Sequence, residues 1–281
     1  MKNAILIILL VLAQDIVAQP AIQVSKSGKG PLLLFLPGFT TPGSVWNETI
    51  QNLNGAYESH VVSYAGFNGL APIDTPWYES VRQELIDYVR KNSLTQLTLV
   101  GHSMGGNLAI ELAAAFPERV SGMILVESIP CMREVMMPGV PASNLKYGSK
   151  YNQQILAMPD DAFVQMATQT AHSMTTAAAK ADSLVKWSVR ADRKTYAYGY
   201  TDLLKLDLRD KLSEIKVRTL ILEAGAGYPD KDMVHANYQR QYSNLESAEF
   251  LMNENSKHFI MFDQPEWFYK TVNNFLKEND D

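Results

Sequence analysis

Three features of the sequence predict an α/β architecture with a mostly parallel central sheet flanked by helices. Nearly continuous apolar runs alternate with helix-patterned stretches, which is how strands buried on both faces look. One run, "LTLVG", passes through a single glycine-flanked serine straight into a helix-like segment. Finally, about ninety residues without a convincing strand separate two of the runs. That is far longer than an ordinary α/β connection and reads as a helical insertion.

The elements follow in order. "MKNAILIILLVLAQDIVAQP" has one early lysine, an apolar run from Ala4 to Ala13 and a small residue at Ala18. This is the pattern of a signal peptide over 1–18, cleaved near Ala18 and delivering the protein to the periplasm or the exterior. The apolar run is too short to span a bilayer. Predicted strands are "PLLLFL" (31–36), "HVVSYA" (60–65), "LTLVG" (97–101), "GMILVES" (122–128), "RTLILEA" (218–224) and "SAEFLMN" (247–253). Predicted helices cover 79–91, with Val81, Leu85, Ile86 and Val89 on one face, and 107–116, 233–242 and 267–276. The residues 131–206, rich in Met, Ala, Tyr and Gln, form the inserted helical unit, and 19–130 with 207–281 form the core.

Composition narrows the function classes. The 281 residues carry a net charge of −5 with scattered Lys and Arg, which points away from nucleic acid and from stable membrane association. The single cysteine, Cys131, makes no intramolecular disulfide and reads as a small buried hydrophobe. No clustered His, Cys or carboxylate spacing suggests a metal site, and no cofactor is expected. Oligomeric state is not legible.

The serine explains its own surroundings. A tight strand-to-helix turn presents a nucleophile at the C-terminal edge of a sheet. Neighbours two positions either side must then be small, here Gly101 and Gly105. "GHSMGG" (101–106) is thus a G-x-S-x-G nucleophile elbow with Ser103 at its tip. The helix starting near Met104 offers a positive end and free N–H groups to an oxyanion. Serine needs a base. Of five histidines, His258 stands after a late strand and a polar loop, the position the chemistry asks for. His60, His102, His172 and His235 lie in or beside other elements. Strand 31–36 ends in Pro37-Gly38-Phe39, so the N–H groups of Phe39 and Met104 are the expected oxyanion hole.

Together "LFLPGF", "GHSMGGNLAIELAAAFPERVSGMILVES" and "KHFIMFDQPEWFYKTVNNFL" resemble the α/β-hydrolase superfamily over nearly the whole mature chain. The last segment is similar to the H-F-x-x-x-[DE]-x-P-E form found near the catalytic histidine of capped members. Pro37-Gly38 stands where the family often has His-Gly. The resemblance implies an α/β-hydrolase fold with 131–206 as a helical cap, inserted after strand 6 in the family's count. It also implies a carboxylate orienting His258. The usual place, soon after a glycine beyond "RTLILEA", reads Ala226-Gly227-Tyr228, with Asp230 and Asp232 coming late. Some members put the acid at the end of the sixth strand, where this chain has Glu127. Glu127 is the first choice and Asp230 the alternative.

The implied function is a serine hydrolase that cleaves a small, apolar carboxylic ester or related acyl compound through an acyl-enzyme. Lactonase, amidase or peptidase, and carbon–carbon bond hydrolase activities use the same parts. A ligand-binding protein without turnover is the alternative from another class.

Overall fold

Seven strands make one sheet in the computed structural model, which describes residues 19–280. Residues 1–18, where a signal peptide is expected, lie outside the described residues. The strands are β1 (Ile22–Gly28), β2 (Leu32–Leu36), β3 (Glu58–Tyr64), β4 (Leu97–His102), β5 (Val120–Val126), β6 (Arg218–Ala224) and β7 (Ala248–Asn253). Their spatial order is β1-β3-β2-β4-β5-β6-β7. Only the β1–β3 pair is antiparallel.

The helices in chain order are α1 (Asn47–Gln51), α2 (Trp77–Lys91), α3 (Met104–Ala115), α4 (Met132–Met136), α5 (Lys150–Ala157), α6 (Asp160–Met174), α7 (Ala178–Val189), α8 (Arg193–Lys205), α9 (Lys231–Gln241), α10 (Ile260–Asp263) and α11 (Pro265–Asp280).

Burial follows position in the sheet. All six residues of the central strand β4 are buried, and its run Leu97, Leu99 and Val100 is apolar, with Thr98 and His102 as buried polar residues. One edge strand, β1, buries Ile22 and exposes most of the rest. Its sequence "IQVSKSG" alternates and ends in polar residues and glycine, the composition of a protected sheet edge. That is why a search for continuous apolar runs passes over it. In α2 the predicted face, Val81, Leu85, Ile86 and Val89, is buried against the sheet.

Helices are the main regular structure of the insertion: α4 to α8 lie between β5 and β6. The described residues hold seven strands, so the segment that the family's count places after strand 6 follows β5 here. Its two ends are tied together, because the Arg133 guanidinium donates to the carbonyls of Leu204 (2.8 Å) and Lys205 (3.0 Å). Buried Asp202 of α8 then joins it to the core by accepting from the Tyr78 N–H at 3.3 Å.

The chain winds from β2 to β3 on one side, then crosses to β4 on the other side of β2. Such a reversal opens a crevice at the carboxyl ends of the strands. The loop after β2 and the turn after β4 both stand there.

Candidate active site

Backbone geometry sets up the serine. Ser103 joins β4 to α3 with φ 53° and ψ −120°, angles that L-residues rarely adopt. Its N–H donates to the Val126 carbonyl of β5 (2.9 Å), and its own carbonyl accepts from Gly106 N–H (2.9 Å). The glycines are obligatory. A Cβ at Gly105 would stand 2.0 Å from the Leu36 carbonyl oxygen, and one at Gly101 2.4 Å from the Gly105 oxygen.

The structure brings Glu127 to His258. His258 Nδ1 lies 3.3 Å from Glu127 Oε2, at the long end of hydrogen bonding. A carboxylate only accepts, so Nδ1 carries the proton and Nε2 is left as the base. Glu127 follows β5 directly and also has a left-handed backbone, φ 47°. Its other oxygen accepts from the Ala224 N–H (2.7 Å) and from the Tyr238 hydroxyl (2.9 Å). Burial and the nearby Glu127 charge hold the Tyr238 phenol well above its usual range, so it stays a donor. Asp230 does other work: it is the N-cap of α9 and accepts from the Met233 N–H at 2.9 Å.

The other predicted residues converge on the same place. Phe39, Ser103, Met104, Glu127 and His258 all line one cavity of about 950 Å³. Met104 opens α3, so its N–H has no partner within the helix. The Phe39 ring packs edge-on against Phe67 and Trp77 (centroids 5.0 and 6.0 Å) and also meets Tyr196 and Tyr200 of the cavity wall, which steadies the loop that carries its N–H. The inserted segment supplies much of the remaining lining, including Met132, Met136, Met166, Met174, Trp187 and Tyr200. The volume lies at the upper end of the range for ligand pockets, about 300–1,000 Å³.

The remaining histidines have separate tasks. His102 is buried and donates from Nε2 to the His258 carbonyl (3.0 Å), steadying the loop that carries the base. Burial pushes its pKa well below the usual 6.5. His60 is held between Glu58 and Tyr88. His235 bonds the buried Glu223 at 3.0 Å. His172 lies on α6, where its carbonyl accepts from Lys257. Among the described residues no three His, Cys, Asp or Glu side chains form a set able to hold a metal ion. Nor is any described helix long and apolar enough to cross a membrane.

Several supporting residues escaped the sequence reading. Asp263 is one. Its Oδ1 accepts from the Thr175 hydroxyl and from the Thr176 N–H (2.8 Å), and its Oδ2 accepts from the Lys257 N–H (2.7 Å). It therefore ties the α6–α7 turn to the loop bearing His258. The acidic position of the H-F-x-x-x-[DE]-x-P-E form was the available signal. Tyr238 and Ala224, which hold Glu127, had none, because each depends on long-range packing of α9 and β6.

A serine at a strained strand-to-helix turn, a histidine facing a carboxylate and a crevice over parallel strands fit the class of α/β hydrolytic enzymes. The sequence matches the alpha/beta hydrolase family over residues 33–271, and the chain belongs to that family. It is 25% identical over 265 residues to the pimeloyl-[acyl-carrier protein] methyl ester esterase of Aeromonas hydrophila, covering 91% of this chain and 99% of that one. The fold is similar to that of an esterase from Exiguobacterium antarcticum (TM-score 0.74, 20% identity, 91% and 95% of the two chains covered). It is equally similar to the enol-lactonase of Burkholderia xenovorans (TM-score 0.74, 17% identity, 91% and 96%).

Proposed function

We propose that the protein hydrolyses a carboxylic ester with an apolar chain through an acyl-enzyme on Ser103. The observation that carries this reading is the strained Ser103 sharing a cavity with His258, whose Nδ1 faces Glu127. His258 Nε2 takes the Ser103 hydroxyl proton as Oγ attacks the ester carbonyl. The oxyanion is held by the N–H groups of Phe39 and Met104. The protonated His258 then gives its proton to the departing alcohol, while Glu127 steadies the imidazolium. Water, activated by the same histidine, releases the acid. Residues 131–206 act as a cap over 19–130 and 207–281, limiting bulk water in the crevice. The name of the Aeromonas relative, a methyl ester esterase aligned almost end to end with this chain, supports ester cleavage. The enzyme works after export, with its N-terminus near Ala18.

The test is hydrolysis of p-nitrophenyl esters of rising acyl length, and of methyl esters of the same acids, by residues 19–281 and by Ser103→Ala. Turnover by the first and a loss of at least about 10³-fold in the second is the expected result. Failure of both on every ester removes the reading and brings lactones, amides, carbon–carbon substrates or simple binding to the front.

A further inference from the structure

Nine large apolar side chains stand out in solvent among the described residues, and five of them, Val135, Met136, Tyr151, Tyr228 and Met233, line the Ser103 cavity. They come from four separate parts of the chain: α4, α5, the loop after β6, and α9. Met233 is 65% exposed, Met136 55% and Tyr228 52%. An exposed apolar patch carries a cost in solubility and marks a binding surface. Below this rim the apolar lining continues through Met166, Met174 and Trp187.

Charge at the rim is already committed. Glu134 pairs with Arg240 (3.5 Å) and with Arg209. Lys257 Nζ donates to the His172 carbonyl at 2.9 Å. Glu134 and Arg240 thus answer one another, while Lys257 keeps its charge and is tethered to a backbone carbonyl of α6, so the charged groups of the rim are few beside its apolar ones.

Resting on the serine-esterase reading, we propose that the rim is a distal site for the substrate's own apolar chain. The substrate class is a medium- or long-chain ester, larger than the small ester expected from the sequence. Its reacting carbonyl sits at Ser103, and its tail runs out between α4 and α9. Continuity of the rim with the Ser103 cavity selects this occupant. Met and Tyr suit it, because flexible thioethers and flat rings adapt to a chain without a fixed shape.

The experiment compares wild type, the double variant Met136→Ser/Met233→Ser, and Leu251→Ser, an exposed apolar change away from the cavity. Substrates are p-nitrophenyl acetate to decanoate and, separately, methyl to decyl acetates, so the two series tell an acyl tail from an alkoxy tail. In wild type, kcat/KM should rise with length in one series by up to about fourfold per added methylene. In the double variant the ratio of the decanoyl or decyl ester to the shortest ester should fall at least tenfold, mainly through KM. Leu251→Ser should keep the wild-type ratio. An unchanged ratio in the double variant, or a wild type fastest on the shortest ester in both series, overturns the proposal. So does a dimer that the double variant dissociates without altering the ratio, since the rim is then covered by a second copy. If no ester turns over, the serine reading falls by itself. Decanoate binding to Ser103→Ala, with and without the rim substitutions, then still decides whether the rim holds a chain.

Discussion

Ser103 and Glu127 both hold left-handed backbone angles that a side chain disfavours, φ 53° and 47°. Strain of this kind costs on the order of 1–3 kcal/mol per residue and persists only where surrounding structure enforces it. Ser103→Gly should therefore raise the melting temperature while abolishing turnover, which thermal denaturation and an ester assay read side by side. Glu127→Gln keeps shape but loses the charge that steadies protonated His258. Turnover should fall about 10³–10⁴-fold with KM nearly unchanged, whereas Asp230→Asn should match wild type. If Asp230→Asn is the damaging change, Glu127 is not the orienting acid. Tyr238→Phe removes one of two donors to Glu127 Oε1. The carboxylate is then held less firmly against His258, and kcat should fall roughly tenfold with KM little changed. His102 supplies a stability test. It is buried neutral, with its pKa held well below 6.5 by burial. The unfolded chain binds that proton near pH 6.5 and the folded chain does not, so stability is full above that pH and declines as pH falls below it. Melting temperatures of His102→Asn should show a flatter slope in this window.

At the scale of elements, the site depends on joints between segments far apart in sequence. Asp263 gathers the α6–α7 turn and the Lys257–His258 backbone on one carboxylate. Asp263→Ala leaves those donors short of an acceptor in a partly buried place. The loss should be about 1–3 kcal/mol of stability, with kcat reduced more than KM is changed. Asp230→Ala, which removes a helix cap and nothing from the site, should cost about 1 kcal/mol and spare the kinetics. These joints mark the limit of what the sequence makes legible. The elbow is readable because Gly101, Ser103 and Gly105 form a local spacing pattern, even though the contact that bars a side chain at Gly105 comes from distant Leu36. His258 is readable by elimination among five candidates. Glu127 is weaker, since its role rests on β5, β6 and α9 meeting side by side. Tyr238 is invisible, because nothing local marks one tyrosine on α9 as facing a carboxylate 111 residues away. Likewise β1 is missed: half-buried alternation at an edge resembles a polar loop.

Across the whole molecule, the parallel sheet and the helical insertion are legible because burial on both faces and a ninety-residue strandless stretch leave plain compositional traces. The lining of the cavity is not, since which face of each inserted helix turns inward is decided by its neighbours. Export is the whole-chain prediction still to be checked. Expression of the full sequence should give a periplasmic or secreted product whose mass spectrum shows processing near Ala18. A full-length product retaining Lys2 would count against it.

The bonds from the α6–α7 turn reach further than stability. The Phe259 N–H donates to the Met174 carbonyl at 3.1 Å, beside the Asp263 joint, so the roof of the pocket and the base at its floor are fastened to one another. On the proposed function, a substrate that had to lift that turn would move the His258 loop with it, whereas one entering between α4 and α9 would leave these bonds untouched.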